Sequence, residues 1–240
     1  MKPLLRALAA ASVCAILSAP AQADSPVITF TMAGAIDYGR DDMNLFLAPD
    51  AGPFLGGLPF TLSLSVDSGT LATLSSSPTE THLGSESASV KGELTVNGKT
   101  FTWTTDAGSA GIGLNLGAGF PDRQEARIDT AASRADGLYV TASHEAYFFD
   151  PVVTSTDIGQ PIVFPQRLSG MALTSSFQVQ GTGSQAWLST WFTANQMTSA
   201  VWTVSPVPEP RQYGMLAAGL GAIAFMRRPA LRRRRPAQGC

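Results

Sequence analysis

Phe60-Thr61-Leu62-Ser63-Leu64-Ser65-Val66-Asp67 puts an apolar residue at every even position and a polar one at every odd position. Successive side chains of a strand point to opposite faces, so this stretch reads as a half-buried β-strand and is incompatible with the 3.6-residue period of a helix. Ile28, Phe30, Met32 and Ile36 alternate with Thr29, Thr31 and Asp37 in the same way. Asn97-Gly98 separates Val90 to Val96 from Lys99 to Thr105. A two-residue type I′ turn at that dipeptide sets a register with Leu94 opposite Phe101 and Gly92 opposite Trp103 on one face, and Thr95 opposite Thr100 and Glu93 opposite Thr102 on the other.

Working outward, further strands are expected at Ala126 to Thr130, Leu138 to Phe148, Ile162 to Phe164, Met171 to Val179, Ala186 to Phe192 and Ala200 to Val204. Asp136-Gly137, Asp150-Pro151 and Gly181-Thr182-Gly183 separate them as turns. Gly39 to Gly57 and the glycine-rich Asp106 to Phe120 read as irregular, and Asn195 to Ala200 is a candidate for a turn of helix. The fold class is therefore all-β, and a dozen or fewer antiparallel strands suggest a β-sandwich of two stacked sheets, jelly-roll-like, with a barrel as the alternative.

The two ends differ from this body. Lys2 and Arg6 precede a mostly Ala/Leu/Val/Ile stretch from Leu4 to Leu17, and Ala21-Gln22-Ala23 follows. A basic start, an apolar run and small residues make a secretory signal peptide over residues 1–23, cut by signal peptidase between Ala23 and Asp24. Cys14 lies inside the apolar run behind Val13, which argues against lipid attachment.

At the back stand Pro208-Glu209-Pro210, an apolar run from Tyr213 to Met226, and Arg227, Arg228, Arg232, Arg233, Arg234 and Arg235. The prolines hold the chain extended and deny it ladder hydrogen bonds. As a helix the apolar run reaches ~21 Å against a hydrocarbon core of ~30 Å. The arginines behind it would stay on the cytoplasmic side and halt translocation.

This order of parts resembles the PEP-CTERM sorting signal, over about Val207 to Arg235. The resemblance implies an exosortase-like membrane protease as a partner acting at Pro-Glu-Pro, transient anchoring in the inner membrane by a C-terminal membrane helix, and release to the cell surface or extracellular space of a bacterium that makes exopolysaccharide. Pro229-Ala230-Leu231 splits the arginines, and Pro236 to Cys240 forms an extra tail. The expected organisation is a signal peptide at 1–23, a β-sandwich domain at 24–206, the sorting signal at 207–235 and a tail at 236–240.

Between Asp24 and Pro210 lie seven basic residues and all 18 acidic ones, a formal charge of −11. Charge of that sign repels phosphate backbones, so nucleic acid is excluded as a partner of the body. Cys14 and Cys240 both fall in the terminal segments, so the body has no disulfide, thiol nucleophile or Cys-ligated metal.

No catalytic residue, metal site or cofactor motif stands out. Gly111-Ile112-Gly113 lacks the third glycine of a dinucleotide loop, and Gly181-Thr182-Gly183-Ser184 lacks the order of a nucleophile elbow. Asp41, Asp42, Asn44 and Asp50 carry oxygen ligands without a calcium-loop spacing, and a solvated loop accounts for them better. Glu80-Thr81-His82, in a Ser/Thr-rich loop, offers two metal ligands and no third. His144 is in phase with Val140, Ala142, Ala146 and Phe148, which makes it a hydrogen-bonded histidine on a buried face. Glu145 then shares the opposite face with Tyr139, Thr141, Ser143 and Tyr147, a mix that fits either an ordinary exposed surface or a sugar-stacking one.

The leading functional expectation is a non-enzymatic, exported surface or matrix protein associated with exopolysaccharide. A carbohydrate-binding module using Trp187, Trp191, Trp202 or Tyr147, or a glycan hydrolase or lyase with paired carboxylates, are the alternatives.

Overall fold

Alternation of apolar and polar residues marks most of the twelve strands of the computed structural model, which describes residues 25–117, 123–149, 151–164, 172–181, 183–192 and 197–205. In chain order these are β1 (Val27–Ala35), β2 (Tyr38–Asp41), β3 (Pro59–Asp67), β4 (Ala72–Ser77), β5 (Glu80–Val96), β6 (Lys99–Asn115), β7 (Gln124–Ser133), β8 (Tyr139–Phe148), β9 (Ile162–Val163), β10 (Ala172–Gly181), β11 (Ser184–Phe192) and β12 (Met197–Ser205). A single 3₁₀ turn, Ser68–Thr70, joins β3 to β4. The expected signal peptide, sorting motif, arginine cluster and tail lie outside the described residues, as do Ala21, Ala23 and Asp24. Among the described residues no helix is long and apolar enough to cross a membrane.

All twelve strands join one antiparallel sheet, in the order β2-β11-β10-β8-β7-β6-β5-β3-β1-β12-β9, with β4 beside β5. Two separate stacked sheets were expected; instead one sheet curls until its inner faces meet. Contacts between strands far apart in the order show this: the Phe30 ring on β1 lies 5.1 Å from the His144 ring on β8, and His144 Nε2 reaches the Leu62 carbonyl on β3 at 2.9 Å. From β5 to β8, and again from β10 to β11, the strands pair with their neighbours in sequence, as a meander does, in place of the jelly-roll order; β8 also pairs with β10, while β9 between them in the chain pairs with β12. Short turns explain that path, because hairpins such as Asn97-Gly98 and Gly181 to Ser184 leave no chain for a crossover.

The Asn97-Gly98 hairpin has the register read from the sequence: Val96 faces Lys99, Leu94 faces Phe101 and Gly92 faces Trp103. Both turn residues take positive φ, 49° at Asn97 and 81° at Gly98, as a type I′ turn demands. On the outer face, hydroxyl pairs stitch neighbouring strands, with Thr29 to Ser65, Thr31 to Ser63 and Thr95 to Thr100 each at 2.8 Å.

The inner face carries the core. Ile28, Phe30 and Met32 of β1 with Leu62, Leu64 and Val66 of β3 pack towards Ile128, Ala142, Phe148 and Phe177 from β7, β8 and β10. Two aromatic groups organise it. Phe30 contacts Phe164 and Trp202 at 5.3 and 5.5 Å between ring centres, and Phe177 contacts Phe101 and Trp103 at 5.8 and 5.5 Å.

Three local expectations are corrected. Asp106 to Asn115 is not irregular but the second half of β6: Gly111 and Gly113 alternate with Ala110, Ile112 and Leu114, which face the core, and Gly108 is buried against Val90 and the Ala131 carbonyl. The Ser/Thr-rich segment around Glu80 to His82 is a hairpin of β4 and β5, in keeping with the strand preference of threonine. Met197 to Ala200 belongs to β12 and pairs with β1 rather than forming a helical turn.

Candidate functional site

Strands β6, β7, β8, β10 and β11 lie side by side, and their outward positions make one polar surface. Outward positions on β8 are Tyr139, Thr141, Ser143, Glu145 and Tyr147, the set expected from alternation. The neighbouring β7 adds Glu125, Arg127 and Asp129, and β10 adds Thr174, Ser176 and Gln178. Cross-strand pairing then sorts them into rows. Trp187, Gln178, Thr141 and Ala131 stand opposite one another in one row; Ser176, Ser143, Asp129 and Gly111 form the next.

Two adjoining hollows of about 310 and 400 Å³ lie along these rows. Thr141 and Ser176 line both, and the Ser143 and Ser176 hydroxyls bond each other at 2.7 Å where the hollows meet. Depth comes from the small residues Ser109, Gly111 and Ala131 on β6 and β7. Gly111, one of the glycines that give this part of β6 an irregular look, is thus part of the floor of a shallow trough.

The charged part sits at the far end. Arg127 Nε bonds Asp129, and that bond raises the Arg127 guanidinium further above its ordinary value. Glu145 stands opposite Arg127 and diagonal to Glu125 and Asp129. Its carboxyl is raised above the usual carboxylate range, first by burial and then by the Glu125 charge, with Arg127 opposing. Arg123 lies over the Tyr147 ring at 3.5 Å. In the next strands His82 Nε2 approaches Glu80 at 3.2 Å, and a side chain on Gly113 would meet the His82 ring at 3.0 Å. Among the described residues no group of three or more His, Cys, Asp or Glu side chains is placed to hold a metal ion.

Elsewhere, sequence candidates are used for structure. Asp41 is buried, and its two oxygens accept from the Leu45, Phe46 and Leu47 amides at 2.9, 2.7 and 3.0 Å. Asp42 bonds Arg40 Nε through both oxygens at 2.7 Å, so the acids of this loop do not converge. His144 is fully buried between the Ser175 hydroxyl, 2.7 Å from Nδ1, and the Leu62 carbonyl. The carbonyl can only accept, so Nε2 carries the hydrogen and Nδ1 accepts from Ser175. Burial lowers the imidazole to about 3. The Ser-His pair is thus a core fastener, closed to any substrate.

Of the tryptophans proposed as platforms, Trp202 is in the core, which removes it, and Trp187 is half-buried on the outer face beside the trough. The Trp191 side chain lies outside the described residues. Alternation had singled out Thr141, Ser143 and Glu145; it had not brought Trp187, Gln178 and Asp129 to them, because strand order is invisible in a linear pattern. Comparison of the chain with protein-family models, curated proteins and solved structures finds no match in any of the three.

Proposed function

We propose that this chain is an exported, non-enzymatic cell-surface or extracellular-matrix protein, sorted by an exosortase-type system and displayed among the producer's exopolysaccharide. In this reading residues 1–23 pass as a signal helix removed by signal peptidase. Tyr213 to Met226 enters the inner membrane as a helix held by Arg227, Arg228 and Arg232 to Arg235, and the membrane protease cuts at Pro208-Glu209-Pro210. The β domain is then the cargo. The observation that carries the reading is the succession of a rigid Pro-Glu-Pro, a marginal apolar span and an arginine cluster, which basic residues cannot follow across the bilayer. A compact body from Ser25 to Pro206, acidic and without thiols, supports it as a domain suited to folding outside the cytosol.

Mass spectrometry of the protein from its native host tests the proposal by locating both mature termini. New ends at Asp24 and near Pro210 are expected. Glu209→Ala, or replacement of the six arginines by glutamine, is expected to leave a longer form in the inner membrane. Normal maturation of either variant, or a soluble mature protein that keeps its arginines, would overturn the sorting route. Shortening of a polysaccharide during incubation with the purified chain would overturn the non-enzymatic assignment.

A further inference from the structure

The outer-face trough is a built surface that the sorting signals do not explain. Its Trp187 end presents a half-buried indole beside the amides of Gln178 and Gln185. Hydroxyls of Thr141, Ser143 and Ser176 line its middle, and the Asp129 carboxylate closes it. Trp187 stands on β11 and Asp129 on β7, three strand spacings apart, or about 14 Å. That is room for several sugar rings laid end to end.

We infer that this trough binds a neutral polysaccharide chain, laid across the strands from Trp187 towards Asp129. The chemistry is complementary at each point. An indole presents a flat apolar face on which the C–H face of a pyranose ring stacks, and its rigidity keeps the entropic cost low. Glutamine amides and serine or threonine hydroxyls both donate and accept, which matches sugar hydroxyls that do the same. The small floor residues Gly111 and Ala131 let a ring sit below the level of the neighbouring side chains. Charge selects among glycans: the three acids Glu125, Asp129 and Glu145 outnumber the two bases Arg123 and Arg127 here, and the body carries −11, so a uronic acid polymer is repelled where a neutral one is not.

The inference rests on the surface-protein reading for where the polymer is met, but not for whether it is held. Affinity electrophoresis of the purified full chain in mild detergent, with hydroxyethylcellulose, dextran, galactomannan or alginate in the gel, separates the two. Retardation by at least one neutral polymer and none by alginate is expected. Trp187→Ala should raise the dissociation constant about tenfold or more, Gln178→Ala by a smaller factor, and Trp187→Phe should largely restore binding. Val163→Ser, an exposed residue on the β9 edge, should leave binding unchanged. Should Trp187→Ala lose its thermal unfolding transition, Gln178→Ala and Thr141→Ala decide the matter, since both side chains stand on the outer face. No retardation by any neutral polymer, stronger retardation by alginate, or full binding by both of these variants would overturn the inference. Each of those outcomes leaves the maturation experiment untouched.

Discussion

The Trp103 indole lies flat over Gly92, its partner across the β5–β6 hairpin: a methyl group built on Gly92 would fall inside the ring. Trp103 is 2% exposed and packs on Phe101 and Phe177, which prevents it from moving aside. The bare backbone of Gly92 is therefore the seat of the largest side chain in this part of the core.

Gly92→Ala is expected to destabilise the protein by about 3 kcal/mol, as an overpacked core does, despite the better strand preference of alanine. Urea unfolding measures it. Combining Gly92→Ala with Trp103→Leu should cost less than the sum of the single changes, because the second removes the ring that the first collides with. Strict additivity would show that the indole is free to relocate.

His144 makes stability depend on pH in a defined window. Unfolded, the imidazole takes up a proton near its ordinary value of 6.5; folded, it resists until about 3. Between those values the unfolded state binds more protons, so the stability is fully present above about pH 6.5 and falls as the pH drops towards 3. Its slope reaches ~1.4 kcal/mol per pH unit. Urea unfolding at pH 7.5, 6.5 and 5.5 should show the onset, and His144→Gln should be less stable at pH 7.5 yet lose the slope between 6.5 and 5.5. A slope retained in that variant would assign the effect to another group.

Asp41 holds the loop between β2 and β3 by accepting from three backbone amides. Asp41→Ala leaves the buried Phe46 amide and the half-buried Leu45 and Leu47 amides without their acceptor and is expected to cost about 3 kcal/mol. Asp41→Asn keeps one carbonyl oxygen and should cost less. Native-state hydrogen exchange distinguishes this anchor from a calcium ligand: the amides of Leu45, Phe46 and Leu47 should lose protection in Asp41→Ala, whereas chelator added to the unmutated protein should leave their exchange unchanged.

Much of the fold is legible residue by residue. Period-2 alternation is a local consequence of the pleat, so Phe60 to Asp67 and Leu138 to Phe148 declare both strand and inner face. The Asn97-Gly98 turn fixes register because few dipeptides accept two positive φ values, and the inward position of His144 follows from its phase alone. Asp106 to Asn115 misled because glycine reads as a breaker when the residues that will cross over it are not known. His82 and Asp129, which lie beside Gly113 and Gly111, come from other strands.

The strand character of the alternating segments, the Asn97-Gly98 register and the inward or outward sense of their side chains are local properties, set by neighbours within a few residues, and the amino-acid sequence determined them unaided. The curling of one sheet onto itself, the burial of Trp202 against the exposure of one face of Trp187, and the meeting of Trp187, Gln178, Thr141 and Asp129 in one trough were decided by the tertiary structure. Those residues stand on four strands spread over some sixty positions of chain, and only sheet pairing brings such distant segments within reach of one ligand.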